Sequence, residues 1–256
     1  MNYKELNVSE IVTQNIKTSD IFKKYDIDFC CNGNISLETI CKNKGLNIEE
    51  VISDLKSIKS VTNKDLNFSS MSPSELIDFI QDNHHKYVQS NVGILVQYAE
   101  KVARIHGEEH SELLQIKNLV LLLIKDLAPH LEKEESLLFP TIKNMDDAIN
   151  TNSDNTKQFE VIEPVISAME YEHNGAGNIL SELRTLSNNY TIPEYACNTF
   201  TAFYHKLKEF EDDLFQHVHL ENNILFPKTA ILLKELGIET IQSKKEEIDE
   251  ELDNLY

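Results

Sequence analysis

Two segments of the sequence repeat a pattern of residue types that can bind a metal ion. His130 is followed four residues later by Glu134, and His217 is followed four residues later by Glu221. Residues four apart lie on one face of an α-helix, so an imidazole nitrogen and a carboxylate oxygen can reach the same point. Both copies continue, after four further residues, with Phe-Pro. The repeated pattern favours metal binding over a chance arrangement.

Two further histidines keep the same register. His85 precedes His130 by 45 residues, and His173 precedes His217 by 44 residues. Each half of the chain therefore offers one lone His and one His-x-x-x-Glu pair. Four His and two Glu are too many ligands for one tetrahedral ion, but they suit two ions that share carboxylates. The spacing predicts a dinuclear metal site.

Three other polar residues stand beside this set. His84 continues an apolar stripe and stays an alternative ligand to His85, although the spacing to His130 favours His85. Asp126 and Glu172 lie one turn or one residue from a ligand, where they could accept hydrogen bonds from the imidazoles or face solvent. Without a metal, the whole set would be a buried polar network. The remaining histidines, expected at the surface or beside a ligand, are His106, His110, His205 and His219.

Cys30 and Cys31 are adjacent in the sequence. Their Cα atoms lie ~3.8 Å apart, short of the ~4.4 Å minimum usual for disulfides, so a bond between them would be strained and easily reduced. This favours a redox or transfer role, and the alternative is that both pack as small apolar residues. Cys41 and Cys197 are expected to be packing residues.

The elements that must position these residues are helices. Apolar residues recur at steps of three and four along four segments, which predicts an all-α fold built on a four-helix bundle. The stripes run into the candidate ligands: Leu123 and Leu127 lead at the same step to His130 and then Glu134. Because an unpaired buried carboxylate costs several kcal/mol, Glu134 needs a cation or another partner.

Turn and cap residues divide the chain. Asn47 reads as a helix cap among short amphipathic pieces, and Ser72 with Pro73 starts the first long helix. A short fifth helix is expected from Thr229 to Leu236, ending at Gly237. The predicted parts are a small helical double-Cys domain at 1–58, a linker at 59–71, the bundle at 72–240 and an acidic tail at 241–256.

Composition excludes several classes of partner. The 256 residues include 24 Lys+Arg and 43 Asp+Glu, a net charge of −19 that would repel nucleic acid. No uninterrupted apolar run of ~18 residues suggests a membrane span, and the N-terminus lacks the features of a signal peptide. Four Cys make no disulfide framework, so a reducing, cytoplasmic setting is expected. Homodimerisation stays open.

The ligand pattern resembles that of the hemerythrin-like family. Further segments look like the iron-sulfur cluster repair di-iron proteins, the repair-of-iron-centres family, over almost the whole chain. The segments that carry this resemblance are Asp28-Phe-Cys-Cys-Asn-Gly33, His84-His85, Lys133-Glu-Glu135, Leu138-Phe-Pro140, Met169-Glu-Tyr-Glu-His173 and Leu220-Glu-Asn-Asn-Ile-Leu-Phe-Pro227.

The resemblance implies a cofactor, a set of partners and a function. It implies two non-haem iron ions bridged by oxo and carboxylate groups, with the two Glu residues as bridges. The implied iron ligands are His85, His130, Glu134, His173, His217 and Glu221. The implied role is a response to nitrosative and oxidative stress that restores damaged iron-sulfur proteins, by donating iron, by reacting with nitric oxide, or both. Cys30 and Cys31 would then deliver electrons or accept a nitrosyl.

Two other functions compete with repair. The first is a hemerythrin-like carrier or sensor of oxygen or nitric oxide that performs no catalysis and has no need of the Cys pair. Whether the protein is an enzyme, with nitric-oxide-reducing or other redox activity, is left open. A di-zinc or di-manganese hydrolase is disfavoured because the sequence shows no convergent nucleophile and no phosphate-binding loop.

Overall fold

The computed structural model describes residues 2–58, 67–151, 157–159 and 161–238. Within these ranges the regular structure is helical, apart from one isolated antiparallel bridge between Asn7 and Ser36. The all-α prediction is confirmed. None of the helices in the described ranges is long and apolar enough to cross a membrane.

The N-terminal part holds four short helices around an apolar core to which Val218 of the bundle also contributes. They are α1 (Val8–Gln14), α2 (Ser19–Lys24), α3 (Leu37–Lys44) and α4 (Ile48–Ser57). Asn47 caps α4 as predicted, because its Oδ1 accepts the backbone N–H of Glu49 at 3.1 Å. Between α2 and α3 the chain forms a tight loop that carries Cys30 and Cys31.

Seven further helices form the four long rods of the bundle. The helices are α5 (Pro73–Ile80), α6 (Lys86–His106), α7 (Glu112–Lys133), α8 (Phe139–Thr151), α9 (Ile162–Leu186), α10 (Asn198–Leu220) and α11 (Phe226–Glu235). The rods are α5 with α6, α7 with α8, α9 alone, and α10 with α11. The predicted start of α5 is confirmed by a capping box between Ser72 and Glu75, with Pro73 in the first turn. In the bundle, α6 packs against α7 and α10, and α7 packs against α9.

Three of the rods contain a π-helical turn of five residues. These turns are Gln81–His85, Glu134–Leu138 and Glu221–Leu225. Pro140 and Pro227 follow the second and third turns, and neither can donate an N–H to the carbonyl four residues earlier. A wider turn accommodates this loss, and π turns of this kind are frequent at functional sites.

The prediction of a separate helix from Thr229 to Leu236 is wrong. Residues 229–235 are the last part of α11, which begins at Phe226, directly after the π turn that follows α10, and Leu236 is the residue that follows α11. Sequence periodicity suggested a break because the extra residue of the π turn shifts the apolar stripe around the helix. The chain does leave the helix near Gly237, whose φ is 68°.

The candidate ligands lie between two apolar clusters of the bundle. One cluster, with Leu95, Leu123 and Phe203 among its members, fills the half formed by α6, α7, α9 and α10. The other fills the half formed by α5, α8 and α11, and includes Ile80 and Phe139. Polar side chains between two such clusters are shielded from water on both sides.

The N-terminal helices pack on α10 beside the candidate ligands. Phe29 lies 5.9 Å from Phe215 and 5.7 Å from His219, measured between ring centroids. His219, one of the histidines expected at the surface or beside a ligand, is fully buried here, 3.3 Å from Thr13 Oγ1. Burial lowers the pKa of His219 to about 4.

The predicted division into domains stays a prediction. Residues 59–66 of the predicted linker and the predicted tail at 241–256 lie outside the described residues. The described end of the linker forms a short 3-10 turn, Phe68–Ser70. Phe68 is buried there, with its ring centroid 4.9 Å from that of Phe79.

Candidate metal centre

The six predicted ligands meet in the interior of the bundle. None of them is more than 4% exposed. They are His85, His130, Glu134, His173, His217 and Glu221. His85 ends the first π turn, and the two Glu residues begin the second and third, so all three π turns contribute to this cluster.

The ligand atoms form two sets that share both carboxylates. One set contains His85 and His217 with the two Glu residues, and the other contains His130 and His173 with the same two Glu residues. Within each set the ligand atoms lie within 4.8 Å of one another. Each candidate metal position would therefore have two imidazoles of its own, and the carboxylates would serve both positions.

Each carboxylate directs its two oxygens to different sets. Glu134 Oε1 lies 3.0 Å from His130 Nε2, and its Oε2 lies 3.4 Å from His85 Nε2. Glu221 Oε1 lies 3.1 Å from His217 Nε2, and its Oε2 lies 3.2 Å from His173 Nε2. A carboxylate placed in this way is suited to bridge two ions.

Three of the imidazoles are oriented by hydrogen bonds from Nδ1. The acceptors, each 2.8 Å away, are Glu135 Oε1 for His85, Glu172 Oε2 for His130 and Asn222 Oδ1 for His173. Carboxylate and amide oxygens only accept, so each Nδ1 is the donor. In the neutral ring, Nε2 then has a free lone pair directed into the site, which is the arrangement of metal-binding histidines.

Several acceptor atoms in the interior of the site have no well-aligned donor. The Nε2 atoms of His130 and His173 lie only 3.1 Å apart. His85 Nε2, both oxygens of Glu134 and Oε2 of Glu221 have no well-aligned hydrogen bond, although each lies within ion-pair distance of an opposite group of the site. Such a set of converging acceptors fits a cation in their midst.

Charge balance in the site is shown by the pKa shifts. Burial lowers the pKa of His173, but Glu134 and Glu221 outweigh it and raise that pKa well above the ordinary value. Burial raises the pKa of Glu134, but the surrounding imidazoles outweigh it and hold that pKa well below the ordinary value. His217 differs, because its burial prevails and lowers its pKa. The carboxylates thus stay charged in the interior and attract positive charge.

His84, the alternative to His85, lies just outside both ligand sets. Its Nδ1 is 2.9 Å from Asp213 Oδ1, and its ring stacks on His217 with centroids 5.6 Å apart and planes 3° apart. Glu172 precedes His173 as His84 precedes His85, so the two residues hold equivalent positions in the two halves. Glu172 accepts a hydrogen bond from the imidazole of His130, whereas His84 stacks on the imidazole of His217.

Asp126 lies near the site without orienting a ligand. It lines the same cavity as His130. Among the described residues, however, no hydrogen bond joins its carboxylate to any of the six candidate ligands. The expected contact to His130 is made by Glu172 instead.

Glu135 and Asn222 were missed by sequence reasoning, although the repeat contains a signal for them. Each directly follows a ligand Glu, and each bonds the lone His of the preceding rod. In a regular α-helix the residue after a buried ligand points away from it. The Phe-Pro five residues after each Glu could have indicated the irregular turn that brings both residues back to the site.

The Cys pair lies at a cavity that reaches the candidate ligands. Cys30 and Cys31 are free thiols with sulfur atoms 3.6 Å apart. They line a cavity of about 440 Å³ together with His130, His173 and His217. Burial, followed by contact with Cys31 and Asp28, raises the pKa of Cys30 well above its ordinary value.

A hydrogen-bonded chain connects the Cys loop to one ligand. The carbonyl of Cys30 accepts from Asn222 Nδ2 at 3.3 Å and from Asn223 Nδ2 at 3.0 Å. Asn222 is also the residue that orients His173. The position of the Cys loop and the orientation of His173 are therefore connected through one side chain.

Cys197 is not the packing residue that the sequence suggested. Cys197 is exposed at the start of α10, and its sulfur lies 3.5 Å from Nε2 of His106, at the end of α6. The contact with His106 has the largest effect on the pKa of Cys197, and hydrogen bonds from the backbone N–H groups of Phe200 and Thr199 add to it. Together they lower this pKa to about 7. Cys41 is buried, as expected of a packing residue.

The bundle and its buried ligands correspond to a described family. Residues 76–229 match the hemerythrin HHE cation binding domain, and residues 4–59 match ScdA_N, a domain of unknown function (DUF542). The fold and the site thus define a helical cation-binding protein of the hemerythrin class, and the buried His/Glu cluster within the matched region indicates metal binding.

Comparison with whole proteins narrows this class. A probable iron-sulfur cluster repair protein of Haemophilus influenzae is 35% identical over 89% of this chain and 98% of its own length. ScdA of Staphylococcus haemolyticus is 32% identical over 86% of the chain and 96% of its own length, and YtfE of Escherichia coli is 33% identical over 89% and 98%. The chain belongs to this family of iron-sulfur cluster repair proteins.

Proposed function

We propose that this protein holds two non-haem iron ions and uses them to restore damaged iron-sulfur clusters in other proteins. One observation carries the proposal: two buried sets of ligand atoms share both carboxylates, and a cavity lined by a Cys pair reaches them. The relatives named as iron-sulfur cluster repair proteins support the choice of repair.

The donor chemistry supports iron. Imidazole and carboxylate suit iron, zinc, copper or manganese, and two carboxylate-bridged ions in a four-helix bundle are typical of di-iron proteins. His85 and His217 would hold one ion, His130 and His173 the other, and Glu134 and Glu221 would bridge them. When bound, the ions would supply exchangeable iron and a centre that binds small diatomic molecules.

The protein's own residues would keep such a centre in a usable state. Glu135, Glu172 and Asn222 fix the imidazole orientations, so the ligands are ordered before an ion arrives. The two apolar clusters shield the site from water on two sides, and the cavity lined by the Cys pair leaves an approach to it. Cys30 and Cys31, at the cavity, are placed for a transfer or redox role between the centre and a damaged client.

Iron donation can be tested with a client protein. The chain is loaded with ferrous iron without oxygen and mixed with a dehydratase whose [4Fe–4S] cluster has been damaged by nitric oxide, with no other iron present. We expect recovery of client activity and loss of iron from the chain. The Glu134→Gln/Glu221→Gln variant, treated identically, should restore nothing. Equal recovery with both proteins would refute the proposal.

A second function is favoured by the cavity. A cavity of about 440 Å³ beside the candidate centre could admit nitric oxide or oxygen. A carrier or sensor would bind such a molecule reversibly and would be indifferent to the Cys pair. Cys30→Ser/Cys31→Ser should abolish repair if the thiols take part, and should leave reversible gas binding intact if the protein is only a carrier.

A further inference from the structure

The loop between α2 and α3 brings together a second group of possible metal ligands. Cys30 Sγ lies 3.6 Å from Cys31 Sγ and 3.3 Å from Asp28 Oδ1. The three ligand atoms lie within 4.8 Å of one another, although none belongs to the buried His/Glu site. This group was not apparent from the sequence, where only the two Cys residues were singled out.

The spacing of these atoms fits tetrahedral coordination. A metal–sulfur distance of ~2.3 Å in a tetrahedral site places two sulfur ligands ~3.8 Å apart, and a sulfur and an oxygen ligand ~3.6 Å apart. The separations in the loop are 3.6 Å and 3.3 Å. Only small side-chain movements would therefore be needed to surround an ion.

The backbone holds this arrangement in place. Asp28 Oδ1 accepts the N–H groups of Cys30 and Cys31, both at 3.0 Å, and Asp28 Oδ2 accepts from Asn32 Nδ2 at 2.7 Å. Gly33 is required in the loop, because a Cβ there would lie 2.4 Å from the carbonyl oxygen of Phe29. The loop is thus ordered without an ion, and Asp28 Oδ2, which accepts one hydrogen bond, retains a lone pair for one.

The group stands between two cavities. Both Cys residues line the cavity of about 440 Å³ that reaches the His/Glu site. Cys31 also lines a second cavity of about 310 Å³, shared with Asp28, Asp26 and Lys44. The Asp26 side chain is 66% exposed, so the second cavity lies at the protein surface. An ion moving between the His/Glu site and the surface by this route would pass the loop.

We propose that Asp28, Cys30 and Cys31 form a third metal position, which binds one thiophilic divalent transition-metal ion such as Fe²⁺. On binding, each thiol loses its proton to solvent and forms one metal–sulfur bond, with no change in oxidation state. Asp28 supplies an oxygen, and the fourth coordination position stays open to a ligand from a recipient protein. The use of this position for iron in transit rests on the proposed repair function, whereas the binding itself does not.

Cobalt(II) is a suitable probe, because its bonds to thiolates give a charge-transfer absorption in the near ultraviolet that imidazole and carboxylate ligands do not give. The full chain, reduced and free of metal, is titrated with Co²⁺ without oxygen. We expect the thiolate band to reach the amplitude of one thiolate-bound ion per chain, because Co²⁺ bound at the His/Glu site does not contribute to this band. Cys30→Ser/Cys31→Ser should lose it, and Asp28→Asn, which can still accept the backbone N–H groups, should bind roughly tenfold more weakly or worse.

Two controls separate this site from others. Cys197→Ser removes the exposed thiol beside His106 and should leave the band unchanged. Glu134→Gln/Glu221→Gln disables the proposed dinuclear site and should also leave it unchanged, so the loop site can stand even if the di-iron proposal fails. Absence of the band in the folded wild-type chain, or its persistence in the folded Cys30→Ser/Cys31→Ser variant, would overturn the proposal.

The transit role has its own measurement. Iron-loaded wild-type chain and Cys30→Ser/Cys31→Ser are mixed with a ferrous chelator, and the release of iron is followed with time. Release at least severalfold slower from the variant would support transit through the loop. Equal rates would overturn transit and leave the loop as a binding position alone.

Discussion

The Nε2 atoms of His130 and His173 face each other across 3.1 Å in the interior of the bundle. Both rings use Nδ1 to donate a hydrogen bond, to Glu172 and Asn222 respectively. Two neutral rings in this position would oppose their lone pairs. A proton shared between the rings, or a metal ion next to them, relieves the repulsion. Protons and metal ions therefore compete for this site.

The competition predicts how the stability of the metal-free chain depends on pH. The pKa of His173 is raised well above 6.5 in the folded chain, since Glu134 and Glu221 outweigh the effect of burial. A raised imidazole pKa stabilises the fold fully below the unfolded value, and this stabilisation is lost as the pH rises through the folded value. We expect the free energy of unfolding of metal-free protein, from urea titrations, to fall as the pH rises above 6.5.

Iron should reverse this trend, because a bound ion requires deprotonated imidazoles. The stabilisation that added Fe²⁺ gives should increase as the pH rises from 6 to 8. Parallel pH profiles for the metal-free and iron-loaded proteins would show that protons and iron do not compete, and would count against the site.

The residues that orient the imidazoles should matter almost as much as the ligands. Asn222→Ala removes the acceptor for His173 Nδ1, and we expect it to weaken metal binding by ~10–100-fold. Asn223→Ala is the matched control, since Asn223 also bonds the Cys30 carbonyl but contacts no ligand imidazole. Competition with a chelator measures both affinities. Equal losses in the two variants would place the effect in the Cys loop and not at His173.

His84 and His85 should differ sharply when replaced. His84→Phe keeps a ring of similar size against His217 and removes no atom of either ligand set, so the number of bound ions should not change. His85→Phe removes one ligand of one set and should lower the metal content by about one ion per chain. If the His84 variant instead loses the ion, His84 is the ligand and the orientation of this π turn is different.

The exposed thiol of Cys197 should be alkylated moderately faster than an ordinary exposed cysteine. With a pKa of about 7, half of it is thiolate at neutral pH. Because nucleophilicity falls with pKa, we expect alkylation at pH 7 only roughly fivefold faster than for an ordinary exposed thiol. Peptide mass spectrometry of the alkylated protein at several pH values gives the rate of alkylation of Cys197. The midpoint of the pH dependence of this rate should be about 7. His106→Phe should move it upward, and an unchanged midpoint in that variant would exclude the imidazole as the cause.

Much of the site could be predicted because helix periodicity relates spacing directly to position. His130 and Glu134 share a face at a four-residue spacing, and the apolar stripe that leads to them shows that this face is buried. The second copy at His217 and Glu221 turned a weak pattern into a specific one. Glu172 was a candidate acceptor from its place beside His173, with a solvent-facing position as the alternative, but the imidazole that it accepts from is that of His130.

Features that depend on irregular backbone or on packing between helices were not accessible in this way. The π turns shift the residues after Glu134 and Glu221 around the helix, so Glu135 and Asn222 appeared to point away from the site. The burial of His219 follows from the packing of α1 against α10, which no local pattern reveals. The pairing of Cys197 with His106 joins residues 91 positions apart.

The central claim is that two metal ions share Glu134 and Glu221, and metal content tests it most directly. Elemental analysis of protein isolated without oxygen should give about two irons per chain. Glu134→Ala/Glu221→Ala, which removes the shared ligands from both sets, should contain almost none, while its helical circular dichroism shows that it is folded. Zinc in place of iron, or equal metal content in the wild-type and variant proteins, would contradict the account and leave these side chains as a buried polar network.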